Sequence, residues 1–193
     1  MSAYSSDIRA QLAESCRVKQ SFSDELVNRI AEFAEKSAAS LKAGGKLIFF
    51  GNGGSAADAQ HLAAELVVRL RVNRRALPAL ALTTNPSVLT AAANDFGYEQ
   101  VFARQIEAFA LAGDIVVALS TSGQSPNILA GARAAIGQHS FCVGLTGQSG
   151  GALSSIANLL LNVPSEDPQR IQESHITIGH ISCGLIERIL LNG

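Results

Sequence analysis

Residues 46–55 read KLIFFGNGGS, a short apolar run that ends in a cluster of glycine, asparagine and serine. An apolar run of this length, followed by a helical pattern, is typical of a buried β-strand that leads into a helix. Glycine allows the backbone to approach a ligand closely, and the start of a helix presents unpaired N–H groups to an anion. The segment therefore predicts a ligand-binding turn at the end of a strand.

The same alternation of apolar runs and helical patterns continues along the chain. Further strands are predicted at about 78–83, 114–120, 141–146 and 159–163, and a long closing helix at 170–191. Short buried strands that alternate with helices indicate βαβ units and a parallel sheet. We expect an α/β fold, a three-layer α/β/α sandwich around a five-stranded parallel sheet, with ligands bound at the carboxyl ends of the strands.

Two helices are predicted before the first strand. The second begins near Ser23 and carries an apolar stripe at helical spacing. No linker or internal repeat is visible, so residues 1–193 are expected to form one domain. Within it, residues 1–42 would serve packing or subunit contacts, and residues 43–193 would form the α/β core, with helices predicted at about 55–70 and 98–111.

The composition disfavours some classes of protein. Apolar residues make up 47% and charged residues 16% of the chain, and the formal net charge is −1. Nucleic-acid-binding proteins usually have a clear basic excess, so this class is disfavoured. The low charge content predicts that another subunit covers part of the helix surface. The basic cluster Arg69, Arg71, Arg74 and Arg75 is either a solvated loop or part of the functional site.

Neither a membrane span nor a signal peptide is predicted. No apolar run reaches about 18 residues, and residues 1–7 lack a charged segment followed by an apolar core. The cysteines Cys16, Cys142 and Cys183 are odd in number and widely spaced, which is typical of reduced thiols. We therefore expect a cytoplasmic protein that does not associate with membranes.

The first polar turn, GNGGSA at residues 51–56, also matches the G-x-G-x-x-A pattern of dinucleotide-binding folds. Such a site needs an acidic residue at the end of the second strand to bind the ribose. That strand ends in residues 82–85, LTTN, without a carboxylate. A sugar-phosphate site at Asn52 and Ser55 is therefore favoured over a nucleotide site, and a turn that uses glycine for backbone geometry alone is the third interpretation.

A second polar turn, STSGQS at residues 120–125, follows the third strand. Its hydroxyls are those of Ser120, Thr121, Ser122 and Ser125. Ser125 and Pro126 are expected to cap the next helix. Hydroxyls and backbone N–H groups can surround a phosphate without the lysine that a Walker loop requires. An ordinary capped turn is the alternative, but the density of hydroxyls favours an anion site.

Two helices carry the candidate acid–base and metal-binding residues. His61 and Glu65 lie one turn apart on the helix after the first turn, and Gln172 and His180 lie on the closing helix within about a quadrant of each other. If these helices meet, the four side chains could form a carboxylate–imidazole pair for proton transfer or a zinc site. A surface hydrogen bond is the simpler interpretation of the His61–Glu65 spacing alone.

Taken together, these motifs resemble the sugar isomerase (SIS) domain family over nearly the whole chain. Within that family they are similar to the branch that isomerises a seven-carbon sugar phosphate. The resemblance is carried by His61, Glu65 and the segments 51–55, 94–97, 120–125, 145–147 with 150–151, and 170–180.

The resemblance implies an aldose–ketose isomerase that converts sedoheptulose 7-phosphate to D-glycero-D-manno-heptose 7-phosphate through an enediol, as the first step of bacterial heptose and lipopolysaccharide synthesis. It implies a homotetramer with sites at subunit interfaces, zinc as the cofactor and no nucleotide. Glu65 would carry the carbon-bound proton, and His180 would move the oxygen-bound proton or open the sugar ring. The implied zinc ligands are His61, Glu65, Gln172 and His180. The implied substrate-binding residues are Asn52, Gly53, Gly54, Ser55, Glu65, Asn94, Asp95, Ser120, Thr121, Ser122, Ser125 and Gln172.

One position departs from the family pattern, and one alternative function stays open. Relatives often have an aspartate directly before the Arg-Ile-Gln-Glu run, where this chain has Gln169, with Asp167 two residues earlier. The alternative is a non-catalytic SIS-fold tetramer that binds the replication initiator DnaA, a branch that tends to lack Glu65 and His180. Sugar-phosphate-sensing regulators usually add a DNA-binding domain, for which the chain has no room.

Overall fold

The structure, a computed structural model, describes residues 4–192. The helices are α1 (Ser5–Gln20), α2 (Asp24–Lys42), α3 (Gly54–Val67), α4 (Pro86–Phe96), α5 (Ala103–Phe109), α6 (Pro126–Gly137) and α7 (Pro168–Asn192). The strands are β1 (Leu47–Gly51), β2 (Ala79–Ala81), β3 (Ile115–Leu119), β4 (Phe141–Thr146) and β5 (Leu159–Asn162). Residues 1–3 and 193, which the predicted single domain includes, lie outside the described residues.

The five strands are parallel and lie in the order β2-β1-β3-β4-β5, which confirms the predicted sheet. Because β2 lies on one side of β1 and β3 on the other, the winding of the chain reverses between β1 and β3. Parallel sheets bind ligands outside the carboxyl ends of the strands at such a reversal. Gly51 at the end of β1 pairs with Leu119 at the end of β3. The two polar turns therefore leave the sheet side by side.

Alternate residues of each strand face opposite layers of helices. Leu47 and Phe49 of β1 pack with the layer formed by α1, α2, α3 and α7. Ile48 and Phe50 pack with the layer formed by α4, α5 and α6. Every residue of β1 and β3 is buried, which explains why these strands are continuous apolar runs in the sequence. The three-layer α/β/α sandwich is confirmed.

The two N-terminal helices lie on the layer of α7. Ser23 caps α2, because its hydroxyl accepts a hydrogen bond from the N–H of Leu26 at 3.2 Å, as its position in the sequence predicts. α1 is mostly exposed and is attached through the buried Val18. The guanidinium of Arg170 in α7 also donates to the carbonyl oxygen of Gln11 at 2.7 Å. Among the described helices, none combines the length and apolar character needed to span a membrane.

Two helix predictions were wrong in their bounds. The helix predicted over 55–70 ends at Val67, because the N–H groups of Leu70 and Arg71 donate to the Glu187 carboxylate instead of continuing the helix. The helix predicted over 98–111 is interrupted, since residues 98–100 wind more tightly as a 3-10 turn before α5 begins.

Candidate active site

The first polar turn lies between β1 and α3 and depends on two glycines. Gly53 has a φ of 56°, a conformation that residues with side chains rarely adopt. Gly54 is the first residue of α3, where any side chain would run into the amide of Gln172. The glycines therefore set the backbone of the turn and allow α7 to approach the start of α3.

The second polar turn lies beside the first, and together they line one small pocket of about 60 Å³. Its lining residues are Asn52, Ser55, Leu119, Ser120, Thr121 and Ser125. The hydroxyls of Ser55, Thr121 and Ser125 have no hydrogen-bond partner within residues 4–192. These hydroxyls and the nearby starts of α3 and α6 are suited to an anion such as phosphate. Phosphate binding by these residues stays a prediction.

The other two hydroxyls of the second turn stabilise the turn itself. Ser120 accepts a hydrogen bond from the N–H of Gly123 at 3.1 Å, and Ser122 accepts one from the N–H of Gln124 at 3.2 Å. Gly123 has a φ of 62° and lies against the carbonyl oxygen of Gly150, so that no side chain fits there. The turn therefore has a defined shape without a ligand.

Asn127 takes over part of the capping role that the sequence assigned to Ser125. Ser125 does precede α6, and Pro126 does occupy its first turn, but the Ser125 side chain makes no capping hydrogen bond. Oδ1 of Asn127 instead accepts from the N–H of Ile128 at 3.0 Å. The Asn127 amide also exchanges two hydrogen bonds with Asn52. Asn127 was not predicted as a site residue, because an asparagine at the start of a helix is already explained by helix capping.

Helices α3 and α7 lie side by side and run in the same direction. Gly54 meets Gln172 near their starts, Leu62 meets Gly179 in the middle, and Leu70, just beyond α3, meets Glu187. Gly179 has no side chain, so Leu62 packs directly against the α7 backbone. The condition on which the grouping of the four candidate side chains depended, that these two helices meet, is therefore fulfilled.

Three of the four predicted metal ligands converge where α3 and α7 meet. Nε2 of His61 lies 2.8 Å from Nε2 of His180 and 3.1 Å from Oε1 of Glu65. One ligand atom from each of the three residues lies within 4.8 Å of the others. The His61 side chain is 48% exposed, so one side of the cluster is open. Two imidazoles and a carboxylate with an open position are a donor set typical of catalytic zinc.

Gln172, the fourth predicted ligand, lies at the other end of this helix contact. It covers Gly54 and precedes His180 by eight residues, about 12 Å along the axis of α7. With Gln169 and Asp58 it lines an open pocket of about 340 Å³. Its roles as a metal ligand and a substrate ligand stay predictions.

Asp58 lies on α3 between Gly54 and His61 and was also missed as a candidate from the sequence. Burial raises the pKa of its carboxyl to about 6, although the nearby His61 lowers that pKa somewhat. Its Oδ2 atom is buried and has no hydrogen-bond partner in the part of the chain that the structure describes. Perturbed carboxyls of this kind are concentrated at functional sites.

The remaining predicted positions lie at the edges of the site. Asn94 and Asp95 are exposed near the end of α4, where the Asn94 amide donates to Oδ1 of Asp95 at 2.8 Å. The structure does not bring them into the pocket of the two turns, and their substrate roles stay predictions. Asp167 caps α7 by accepting from the N–H of Gln169 at 2.8 Å, which gives this departure from the family pattern a structural role.

Comparisons with known proteins identify the family to which the chain belongs. Residues 12–147 match the family model of the SIS domain, and the chain belongs to this family. It is 52% identical over 184 residues to a phosphoheptose isomerase of Geobacter sulfurreducens, covering 95% of this chain and 97% of that relative. A solved phosphoheptose isomerase of Neisseria gonorrhoeae matches with a TM-score of 0.90 at 41% identity, covering 95% of this chain and 98% of the other. A solved phosphoheptose isomerase of Francisella tularensis matches with a TM-score of 0.92 at 35% identity, covering 97% of this chain and 100% of the other. Within the SIS domain family, the chain groups with the phosphoheptose isomerases.

Proposed function

We propose that the chain is a phosphoheptose isomerase that converts sedoheptulose 7-phosphate to D-glycero-D-manno-heptose 7-phosphate through an enediol. The observation that carries the proposal is the convergence of Glu65, His61 and His180 on two helices that begin near a hydroxyl-lined pocket. Relatives named phosphoheptose isomerase, about half of whose residues are identical to those of this chain, support it.

Glu65 and His180 divide the proton transfers between carbon and oxygen. The Glu65 carboxylate removes a proton from C1 of the ketose, and the resulting enediol regains that proton at C2 to give the aldose. His180 donates a proton to the oxygen on C2 and accepts one from the oxygen on C1, so no proton is gained or lost overall. The contact between His61 and His180 orients the His180 ring for this exchange.

Zinc, one ion per subunit, is the cofactor that we propose for the cluster of His61, Glu65 and His180; Gln172, the fourth predicted ligand, lies outside this cluster within one chain. The donor types and their convergence fit this ion. When bound, zinc supplies a Lewis acid that stabilises negative charge on an enediol oxygen. No nucleotide is proposed, because the second strand provides no acidic residue for a ribose.

The distance between the phosphate pocket and the cluster favours a site shared between subunits. Ser55 and Glu65 lie ten residues apart on α3, about 15 Å along its axis. From C1 to the phosphorus, an extended heptose 7-phosphate has eight bonds and spans only about 10 Å, at about 1.2 Å of advance per bond. We therefore propose that one subunit holds the phosphate while Glu65 and His180 of another act on the reacting carbons.

Exposed apolar side chains support a proposed homotetramer. Val68, Ile181 and Leu191 are 67%, 46% and 51% exposed near the cluster, and Ile8 and Leu12 form a second exposed group on α1. Such patches on a chain of low charge are typical of subunit contacts. We place the enzyme in the cytoplasm, where its three free thiols remain reduced and where it would begin heptose synthesis for lipopolysaccharide.

The DnaA-binding scaffold is not favoured as the function. That branch tends to lack the acid–base pair. Here Glu65 and His180 are both present, and each of them contacts His61. The named relatives at this level of identity are isomerases.

The proposal is tested by NMR of sedoheptulose 7-phosphate in D₂O with the purified protein. We expect the aldose to form and deuterium to enter at the carbon next to the carbonyl. Activity should be lost with a chelator and restored by zinc, and Glu65→Gln should remove both product and deuterium. If the protein gives no product with or without zinc, the isomerase function is wrong.

A further inference from the structure

Arg74 differs from the other members of the basic cluster that contains Arg69, Arg71 and Arg75. The other three are exposed, whereas the Arg74 side chain is only 4% exposed. Its guanidinium donates to the carbonyl oxygens of Glu65 at 2.9 Å and Leu66 at 2.8 Å. These are carbonyls of the last turn of α3, which have no partner within the helix. Arg74 therefore caps the helix that carries Glu65.

Glu187 of α7 completes the other half of this contact. Nε of Arg74 donates to Oε1 of Glu187 at 3.0 Å, and the N–H groups of Leu70 and Arg71 donate to the same carboxylate at 3.1 and 3.2 Å. Burial alone would raise the pKa of the Glu187 carboxyl, but these hydrogen bonds and the Arg74 charge outweigh it and hold the pKa below its usual value. The pair is thus a buried ion pair with its hydrogen-bonding groups satisfied.

The pair connects the two helices that carry the catalytic groups. Arg74 binds the backbone of Glu65 itself, and Glu187 follows His180 by seven residues, two turns later on the same stripe of α7. Besides the contact between His61 and His180, α3 and α7 meet in the middle through apolar contacts such as Leu62 against Gly179. Apolar contacts are not directional, whereas a guanidinium that donates to fixed carbonyls and a carboxylate defines a register.

We propose that Arg74 is a positioning residue that, together with Glu187, fixes the register of α3 against α7 and thereby the separation of Glu65 and His61 from His180. This inference rests on the proposed function, because the reaction and the metal site are what the register serves. The Arg74 side chain is buried and its donors are used within the chain, so the substrate phosphate should not bind to it directly.

The test compares Arg74→Lys with the wild-type protein in three measurements: zinc affinity by competition with a chelating dye, kcat, and KM for sedoheptulose 7-phosphate. Lysine keeps the charge but cannot donate to two carbonyls and a carboxylate in one plane. We expect zinc affinity to fall about tenfold or more and kcat to fall on the order of ten- to a hundredfold. KM should change by less than about twofold, because the buried Arg74 guanidinium does not itself bind the phosphate.

Arg75→Lys is the matched control, because Arg75 is adjacent and exposed, and its guanidinium has no partner among residues 4–192. It should leave all three quantities unchanged. If Arg74→Lys does not fold, the double variant Arg74→Gln with Glu187→Gln removes both charges together and should show the same losses. Wild-type zinc affinity and kcat in a folded variant, or a change confined to KM, would overturn the proposal. If the wild-type protein binds zinc but forms no heptose, the proposed function fails while the zinc measurement still tests the register.

Discussion

Asn52 and Asn127 exchange two side-chain hydrogen bonds, at 2.9 Å from the Asn52 amide to Oδ1 of Asn127 and at 2.8 Å in the reverse direction. The N–H of Ile128 also donates to Oδ1 of Asn127. Because a backbone N–H can only donate, this contact defines which end of each amide is the oxygen. The pair joins the turn after β1 to the turn after β3 and so defines the width of the hydroxyl-lined pocket between them.

We expect Asn127→Ala to raise KM for sedoheptulose 7-phosphate about tenfold with little change in kcat. The variant loses two hydrogen bonds between the turns, each contributing about 1 kcal/mol, while Glu65 and His180 stay in place. Steady-state kinetics measures both constants, and inorganic phosphate as a competitor reports on the pocket directly. Asn28→Ala is the control, since Asn28 is exposed on α2 and no hydrogen bond of its side chain occurs in the described chain. An unchanged KM in the folded Asn127→Ala variant would contradict this role.

The parts of this molecule that sequence reasoning found are those with a local physical signal. β1, β3 and their polar turns were predictable because buried parallel strands are continuous apolar runs and glycine marks the turn. The Asn52–Asn127 pair was not, because its members lie 75 positions apart and each has a local explanation. The role of Arg74 could not be predicted either, because only its burial in the folded chain distinguishes it from the neighbouring arginines.

Gln172 shows a different limit of sequence reasoning. The angle of 100° per residue places it near the His180 side of the helix, but that angle ignores the rise along the axis. The eight residues between them separate the two side chains by about two turns, so Gln172 meets Gly54 while His180 meets His61. The spacing could therefore predict neither that the two helices meet nor how the residues are grouped along them.

We expect His175 to make the protein less stable in mild acid. Its Nε2 lies 3.2 Å from the carbonyl oxygen of Thr146, and its Nδ1 is buried without a partner among the described residues. Burial lowers the pKa of the imidazole to about 4, although the hydrogen bond to Thr146 opposes this. In the unfolded chain the His175 imidazole takes up a proton near pH 6.5, whereas in the folded chain the imidazole stays neutral until the pH is much lower.

Stability should therefore be complete above about pH 6.5 and should fall by about 3 kcal/mol as the pH approaches 4. Urea unfolding at pH 7.5 and pH 4.5 measures the change in the free energy of unfolding. His175→Gln should reduce that change, because glutamine does not titrate. His139→Asn replaces an exposed histidine and should retain the wild-type pH dependence. An equal pH dependence in the His175→Gln variant would show that other groups cause it.

Asp58→Asn should stabilise the protein at neutral pH. Burial disfavours the charged carboxylate of Asp58 in the folded state, which is why its pKa rises to about 6. The folded chain therefore loses stability relative to the unfolded chain as the pH rises from about 4 to 6, and asparagine avoids this loss. Thermal unfolding with a chelator present should show a higher Tm for the variant at pH 7 and no difference below about pH 4. A lower Tm at pH 7 would mean that the carboxylate has a favourable partner that compensates its burial.

Gly54→Ala should lower activity by displacing Gln172 while leaving the fold intact. A methyl group at position 54 would meet the Gln172 amide, the movable end of a flexible side chain, and alanine is favourable in a helix. If Gln172 binds the metal or the substrate, its displacement should reduce kcat/KM about as much as Gln172→Ala does. The double variant should then be no worse than either single variant, because both changes remove the same interaction. Kinetics on the three variants, with Tm as the check on folding, measures this coupling. Additive losses would mean that Gly54 acts through the backbone of the turn, and wild-type activity in Gln172→Ala would remove Gln172 from the site.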